Sequence, residues 1–161
     1  MDGTKTIKIT DAKTARAKAE HYCAYQERSQ QEVRDKLYEW GLRSNDVESL
    51  IGGLIEDNFL NEERFSKAYA LGKFRQKGWG NGKIKQGLKF KRVPDVLIKK
   101  ALAAIPGDEY IAMLQKVLAK KAKTVTKKEP FKRDYKLRQY ALSRGFENDL
   151  IGDVLRDREM G

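Results

Sequence analysis

Cysteine and histidine each occur once, as Cys23 and His21, and proline only three times. A single cysteine excludes an internal disulfide framework. One histidine and one cysteine offer too few ligands for a structural zinc site, so no metal and no cofactor is expected. Few β-branched runs argue against a sheet protein. No apolar run approaches the roughly 20 residues needed to span a bilayer, so no membrane partner is expected. The opening stretch Met1 to Thr14 lacks the apolar centre of a secretory signal. The expected location is therefore the cytoplasm. Residues 1–11 read as a short tail, strand-like at Ile7-Lys8-Ile9, with no assigned role.

Charge is abundant. Asp, Glu, Lys and Arg make up 35% of the 161 residues, and the net charge is +11. Mean hydropathy is -0.73, which implies a thin core and favours a slender helical array over a compact enzyme. The positive charge is segmental. Residues 1–60 carry 9 basic and 11 acidic side chains, residues 73–100 carry 10 and 1, and residues 116–138 carry 10 and 2. Clustered Lys and Arg are the electrostatic footprint expected of a nucleic-acid binder.

Sliding the chain along itself shows a repeat. A shift of 51 residues lays Val33, Leu37, Leu42, Val47, Ile51 and Leu54 on Ile84, Leu88, Val93, Ile98, Leu102 and Ile105 without a gap. A shift of 104 lays Val33, Leu37, Gly41, Leu42, Val47, Leu50 and Ile51 on Leu137, Ala141, Gly145, Phe146, Ile151, Val154 and Leu155. A further helix precedes each block, at Ala12–Arg28, Asn61–Lys77 and Asp108–Lys121. In the first, Ala15, Ala19, Tyr22, Cys23 and Gln26 are assigned inward. The expected fold is all-α: three tandem three-helix repeats (12–58, 59–106 and 107–161) forming an elongated, curved array. Ser29-Gln30-Gln31-Glu32 is a capping box at the start of a helix, and Gly41 suits the left-handed position after its end. The third repeat has a longer lysine-rich connection, Lys120 to Arg133, read as a hinge or a strap toward phosphates.

The central repeat concentrates the charge. Its first helix opens at Asn61 as N-cap, with Glu62 and Glu63 in the first turn and Phe65, Ala68, Tyr69 and Leu71 as the apolar stripe. Gly78-Trp79-Gly80-Asn81-Gly82 forms a turn, and the next helix carries Ile84 and Leu88. Around them stand Lys73, Arg75, Lys77, Lys83, Lys85, Lys89, Lys91 and Arg92, with no acidic residue before Asp95. Arg75, Lys77, Trp79, Lys83, Lys85, Lys89, Lys91 and Arg92, with Arg133 and Lys136 of the third repeat, are the candidate partner- and DNA-binding residues. Trp79, between glycines in a basic turn, is a candidate interface anchor. Trp40, Phe74 and Phe90 are further candidates for stacking on bases, whereas Phe65, Tyr69 and Phe146 are assigned to the core.

No catalytic constellation emerges. His21 and Cys23 are two apart on one helix and face different directions. The glycines at 78, 80 and 82 resemble a phosphate loop only superficially, because no strand precedes them and no Gly-Lys-Ser/Thr follows. Paired carboxylates such as Glu62-Glu63 and Asp108-Glu109 stand at helix starts.

Several motifs together resemble one family. They are Glu27-Arg28-Ser29-Gln30-Gln31-Glu32-Val33 with Lys36-Leu37, then Asn61-Glu62-Glu63-Arg64-Phe65-Ser66-Lys67-Ala68-Tyr69, Lys77-Gly78-Trp79-Gly80 and Ile84-Lys85-Gln86-Gly87-Leu88. Lys136-Leu137 and Ser143-Arg144-Gly145-Phe146 follow in the third repeat. Over residues 12–157 the chain resembles the RecX family, regulators of the bacterial recombinase RecA in DNA repair, recombination and the SOS response. The sequence departs from that family at Asn61 (often Asp), Gly87 (often Glu) and Arg92 (usually Gly). The chain is expected to be a monomer, and the resemblance implies a non-enzymatic protein that lies along the groove of the RecA–DNA filament. There it contacts RecA and single- and double-stranded DNA, and inhibits filament extension and ATP turnover. Two other readings remain: a free-standing helical-repeat DNA-binding protein, and a protein-interaction array without DNA contact.

Overall fold

A computed structural model describes residues 11–160, with the side chains of 159 and 160 excepted. The strand-like Ile7-Lys8-Ile9 lies outside the described residues. Among those described there are nine α-helices and no strand: α1 Ala12–Tyr25, α2 Gln30–Glu39, α3 Ser44–Glu56, α4 Glu62–Lys77, α5 Asn81–Phe90, α6 Asp95–Ala103, α7 Gly107–Ala122, α8 Pro130–Ser143 and α9 Asn148–Met160. None is long and apolar enough to cross a membrane. The chain packs into two compact units. Of the described residues, one holds Asp11 to Ser66 with Lys91–Val93, and the other holds Lys67–Phe90 and Pro94 to Met160.

In the first unit α1, α2 and α3 pack on each other around Ala19, Cys23, Val33, Leu37, Val47, Ile51, Leu54 and Leu60. Tyr22 and Trp40 close one side edge to face, with ring centroids 6.4 Å apart. Trp40 is thus half-buried in packing, with Lys18 Nζ 5.0 Å from its ring centre. The Ser29 hydroxyl accepts from Glu32 N at 3.0 Å, as the capping box requires. The Glu32 carboxylate instead pairs with Lys91 at 3.0 Å. α1 ends at Tyr25, not Arg28: Gln26 is extended and exposed, and Arg28 Nε folds back to donate to the Tyr22 carbonyl at 2.9 Å. One of the carbonyls left open at the helix end is satisfied in this way.

The helix ends repeat as strictly as the core. After α2, Gly41 N donates to Tyr38 O at 2.9 Å and Leu42 N to Leu37 O at 3.2 Å. After α8, Gly145 N donates to Leu142 O at 2.9 Å and Phe146 N to Ala141 O at 3.1 Å. Both are Schellman closures, with φ of 91° and 98° at the glycines. Arg92 takes the same position after α5 with φ 60°, so the left-handed cap persists without glycine.

In the second unit α7, α8 and α9 form the third repeat, and α5 packs on α6. Three of the expectations for this part of the chain change. The buried residues of α4 are Phe65 and Ser66 in the first unit and Ala70 and Phe74 in the second, while Ala68 is exposed. Ser66 is tolerated there because its hydroxyl donates to Glu62 O at 2.7 Å. Asn81 and Gly82 belong to the first turn of α5 rather than to the turn before it. The long connection shortens to residues 123–129, since α7 runs to Ala122 and Pro130 takes the first position of α8, where its fixed φ suits a helix start.

Candidate nucleic-acid and protein interface

The turn between α4 and α5 is held from the third repeat. Gly78, at φ 67°, closes α4 by donating to Phe74 O at 2.9 Å. Gly80 N then donates to Arg144 O at 2.7 Å and Gly82 N to Gly145 O at 2.9 Å. The free amides of the α5 N-terminus thus meet the free carbonyls at the end of α8, and opposite helix-end dipoles are brought together. The backbones approach so closely that a Cβ on Gly80 would stand 2.5 Å from Gly145 C. These amides are consumed by protein carbonyls and cannot cradle a phosphate, which explains the glycines as packing residues. Asn81 N donates to Tyr110 Oη at 2.9 Å, its side-chain amide donates to Glu147 at 3.2 Å, and Tyr110 Oη donates to the same carboxylate. Burial and the Glu147 carboxylate push the Tyr110 hydroxyl far above the ordinary tyrosine range.

At this corner the half-buried Trp79 ring has two ammonium groups close to it, Lys73 Nζ at 5.1 Å and Lys83 Nζ at 4.8 Å from its centre. Cations over an indole face are attracted to its quadrupole, which holds both lysines at the turn. Lys85 and Lys89 follow on α5, one turn apart and exposed, with no salt bridge among the described residues. Lys77 and Arg92 are also exposed and unpaired in that sense.

Two members of the expected patch are engaged elsewhere. Arg75 makes two contacts to the Glu109 carboxylate, at 3.3 and 3.2 Å, and Lys91 pairs with Glu32. The acid-free run before Asp95 is therefore offset in part by carboxylates distant in sequence. Arg133 is half-buried and donates to Ala122 O at 3.3 Å. With the exposed Lys136 it stands on α8, about 16 Å along that helix from the Arg144–Gly145 end that caps α5. The ten residues thus do not form one patch: Arg75, Lys77, Trp79 and Lys83 stand at the α4–α5 turn, Lys85 and Lys89 follow along α5, Lys91 and Arg92 lie past its end in the first unit, and Arg133 and Lys136 lie near the start of α8. Lys73 belongs with the turn.

The aromatics sort by burial. Phe74 is in the core, its ring stacked on Tyr110 at 5.8 Å, and is not available to a base. Phe65 and Phe146 are buried as expected, and Tyr69 is half-buried. Phe90 is 88% exposed. Phe131 and Tyr135, missed in the sequence, are exposed on α8. Their i, i+4 spacing among lysines was the available signal.

Cys23 is buried, and burial raises its thiol pKa, the opposite of what a nucleophile needs. Among the described residues no group of three or more His, Cys, Asp or Glu side chains is placed to hold a metal ion.

Comparison with known proteins agrees with this architecture. The family models for the first, second and third three-helix domains of RecX match residues 15–52, 61–102 and 108–155. The regulatory protein RecX of Clostridium perfringens (strain SM101 / Type A) is 30% identical over 131 residues, covering 80% of this chain and 61% of that protein. That of Haemophilus influenzae (strain PittGG) is 30% identical over 133 residues, covering 82% and 86%. This chain therefore spans less than two thirds of the clostridial relative and most of the Haemophilus one. The crystal structure of RecX from Lactobacillus salivarius shares the fold with a TM-score of 0.86 at 21% identity, over 93% of this chain and 97% of that one. With all three domain models matched in order over most of its length, the chain belongs to the RecX family.

Proposed function

We propose that this chain regulates the RecA recombinase by docking in the groove of the RecA–DNA filament and inhibiting its extension and ATP turnover. It does so as a monomer in the cytoplasm, by occupancy rather than by catalysis, with its repeats divided at 12–58, 59–106 and 107–161. The observation that carries the reading is the exposed, unpaired Lys85–Lys89 face of α5, the helix that follows the Trp79 turn and its two lysines. Membership of a family whose relatives are named regulatory proteins supports the same conclusion. Unpaired lysines on a helix neutralise phosphates and release counterions, while a half-buried aromatic ring with cations near it suits a partner contact.

A free-standing reader of base sequence is less well supported. Asn81, the amide best placed at the start of α5, is tied to Glu147 at 3.2 Å.

Lys85→Glu with Lys89→Glu tests the proposal. Both side chains are exposed, so helix content is expected to stay unchanged. Two lost phosphate contacts should flatten the slope of log affinity against log salt by roughly 1.4 to 1.8 for filament binding. Wild-type affinity for filaments at both low and high salt would refute the assignment of this face. Binding bare duplex as tightly as the filament would favour the free-standing reading.

A further inference from the structure

The start of α8 carries a second surface with its own chemistry. Phe131 is 93% exposed and Tyr135, one turn later, 63%. Two aromatic rings left in water at i, i+4 lie on one helix face and serve no core. Tyr135 also lines a groove of about 680 Å³ that runs between the end of α7 and α8. The remaining walls are Lys121, Thr124, Val125, Thr126, Lys136, Gln139 and Tyr140, so the groove offers ammonium, hydroxyl and amide groups around an apolar strip.

The charge here is nearly uncompensated. Of the two acids in residues 116–138, Glu129 is paired with Lys132 at 3.0 Å and Asp134 with Arg138 at 2.8 Å. Lys123, Lys127, Lys128 and Lys136 carry no salt bridge among the described residues and are exposed. Lys121 covers the Tyr140 ring, 4.8 Å from its centre, and closes that end of the groove. Lysines alone would suit any polyanion. Exposed rings beside them add a requirement for a flat, apolar face on the ligand. Nucleic acid with unstacked bases meets both requirements, whereas a duplex hides its base faces.

We infer that the Phe131–Tyr135 face of α8 and the adjoining Lys121–Lys136 groove form a single-strand nucleic-acid site, in which the two rings stack on successive bases and the lysines follow the phosphates. The inference rests on the reading of nucleic acid as partner, and extends the candidate contact at Lys136 to a site with its own rings and its own preference for single strands. It concerns a different helix face from Lys85 and Lys89 and needs no recombinase.

The test is fluorescence anisotropy of the full chain with a short labelled oligo(dT) and with a duplex of equal length, both without recombinase. Phe131→Ala with Tyr135→Ala should weaken oligo(dT) binding about 25-fold or more, at about five-fold or more per stacked base, with duplex binding changed by less than about three-fold. Phe131→Tyr with Tyr135→Phe should restore the single-strand affinity. Unchanged oligo(dT) binding, or an equal loss for both ligands, would overturn the inference. A second readout does not depend on the alanine variant folding: in Phe131→Trp the added indole should be quenched on titration with unlabelled oligo(dT), by comparison with the parent chain. No added quenching would also overturn it. The filament measurements on Lys85→Glu with Lys89→Glu read α5, whereas the oligo(dT) measurements on the ring variants read α8 without recombinase, so failure of one reading is distinguishable from failure of the other.

Discussion

Gly145→Ala is the sharpest probe of how the central repeat is held. At φ 98° an alanine is strained before any contact is considered, at about 1–3 kcal/mol. Its Cβ would also stand 2.5 Å from Lys83 N, 2.7 Å from Lys83 Cβ and 2.9 Å from Gly80 O. Backbone atoms cannot step aside singly, so the loop must move off the start of α5. The bonds from Gly80 N and Gly82 N would then be lost, each about 0.5–1.5 kcal/mol net. The combined loss is about 2–6 kcal/mol. Gly78→Ala is the matched control. It too has positive φ, at 67°, but its Cβ would meet only ordinary contacts at 3.6 Å, so it should cost about 1–2 kcal/mol. Urea unfolding followed by far-ultraviolet circular dichroism measures both. Equal losses for the two variants would show that the close backbone approach between α5 and the end of α8 contributes nothing, and that strain alone sets both values.

Two further outcomes follow from the first unit. Leu37 is fully buried among Val33, Val47 and Ile51, so Leu37→Asp places a charge in the seam at several kcal/mol and should unfold α1–α3; an unchanged melting curve would mean the helix register is wrong. Glu62 is buried, and desolvation raises its pKa above the ordinary 4.5 despite the bond from Gln30 N at 2.7 Å. The folded state therefore holds a proton that the unfolded chain has already released, and stability from this group falls as pH rises from about 4.5 through the raised value. Glu62→Gln keeps an acceptor for Gln30 N and removes the titration, so its urea midpoint should gain on the parent as pH rises over that window; parallel pH curves would refute the assignment.

Helix periods and the self-match at shifts of 51 and 104 were enough to read the all-α repeat, because each core position depends on local spacing along one helix. Leu37, Leu88 and Leu137 are all buried as that spacing requires. Capping was equally local: Ser29 and Asn61 accept from the amides three residues ahead, at 3.0 and 2.9 Å. Membership of the family was legible for the same reason, since its motifs are contiguous. What a charged residue faces is not local. Arg75 and Lys91 look unopposed in the sequence, yet Glu109 and Glu32 reach them across 34 and 59 positions because helix packing, not spacing, chooses ion-pair partners. Phe74 and Phe131 look alike as aromatics on basic helices, and only packing puts one against Tyr110 and the other in water. The sequence by itself thus determined the helices, their caps and their repeat. The tertiary structure alone decided which lysines remain free, which rings are exposed, and that the α5 N-terminus is bound by the carbonyls at the end of α8, because each of these depends on which segments the fold brings together.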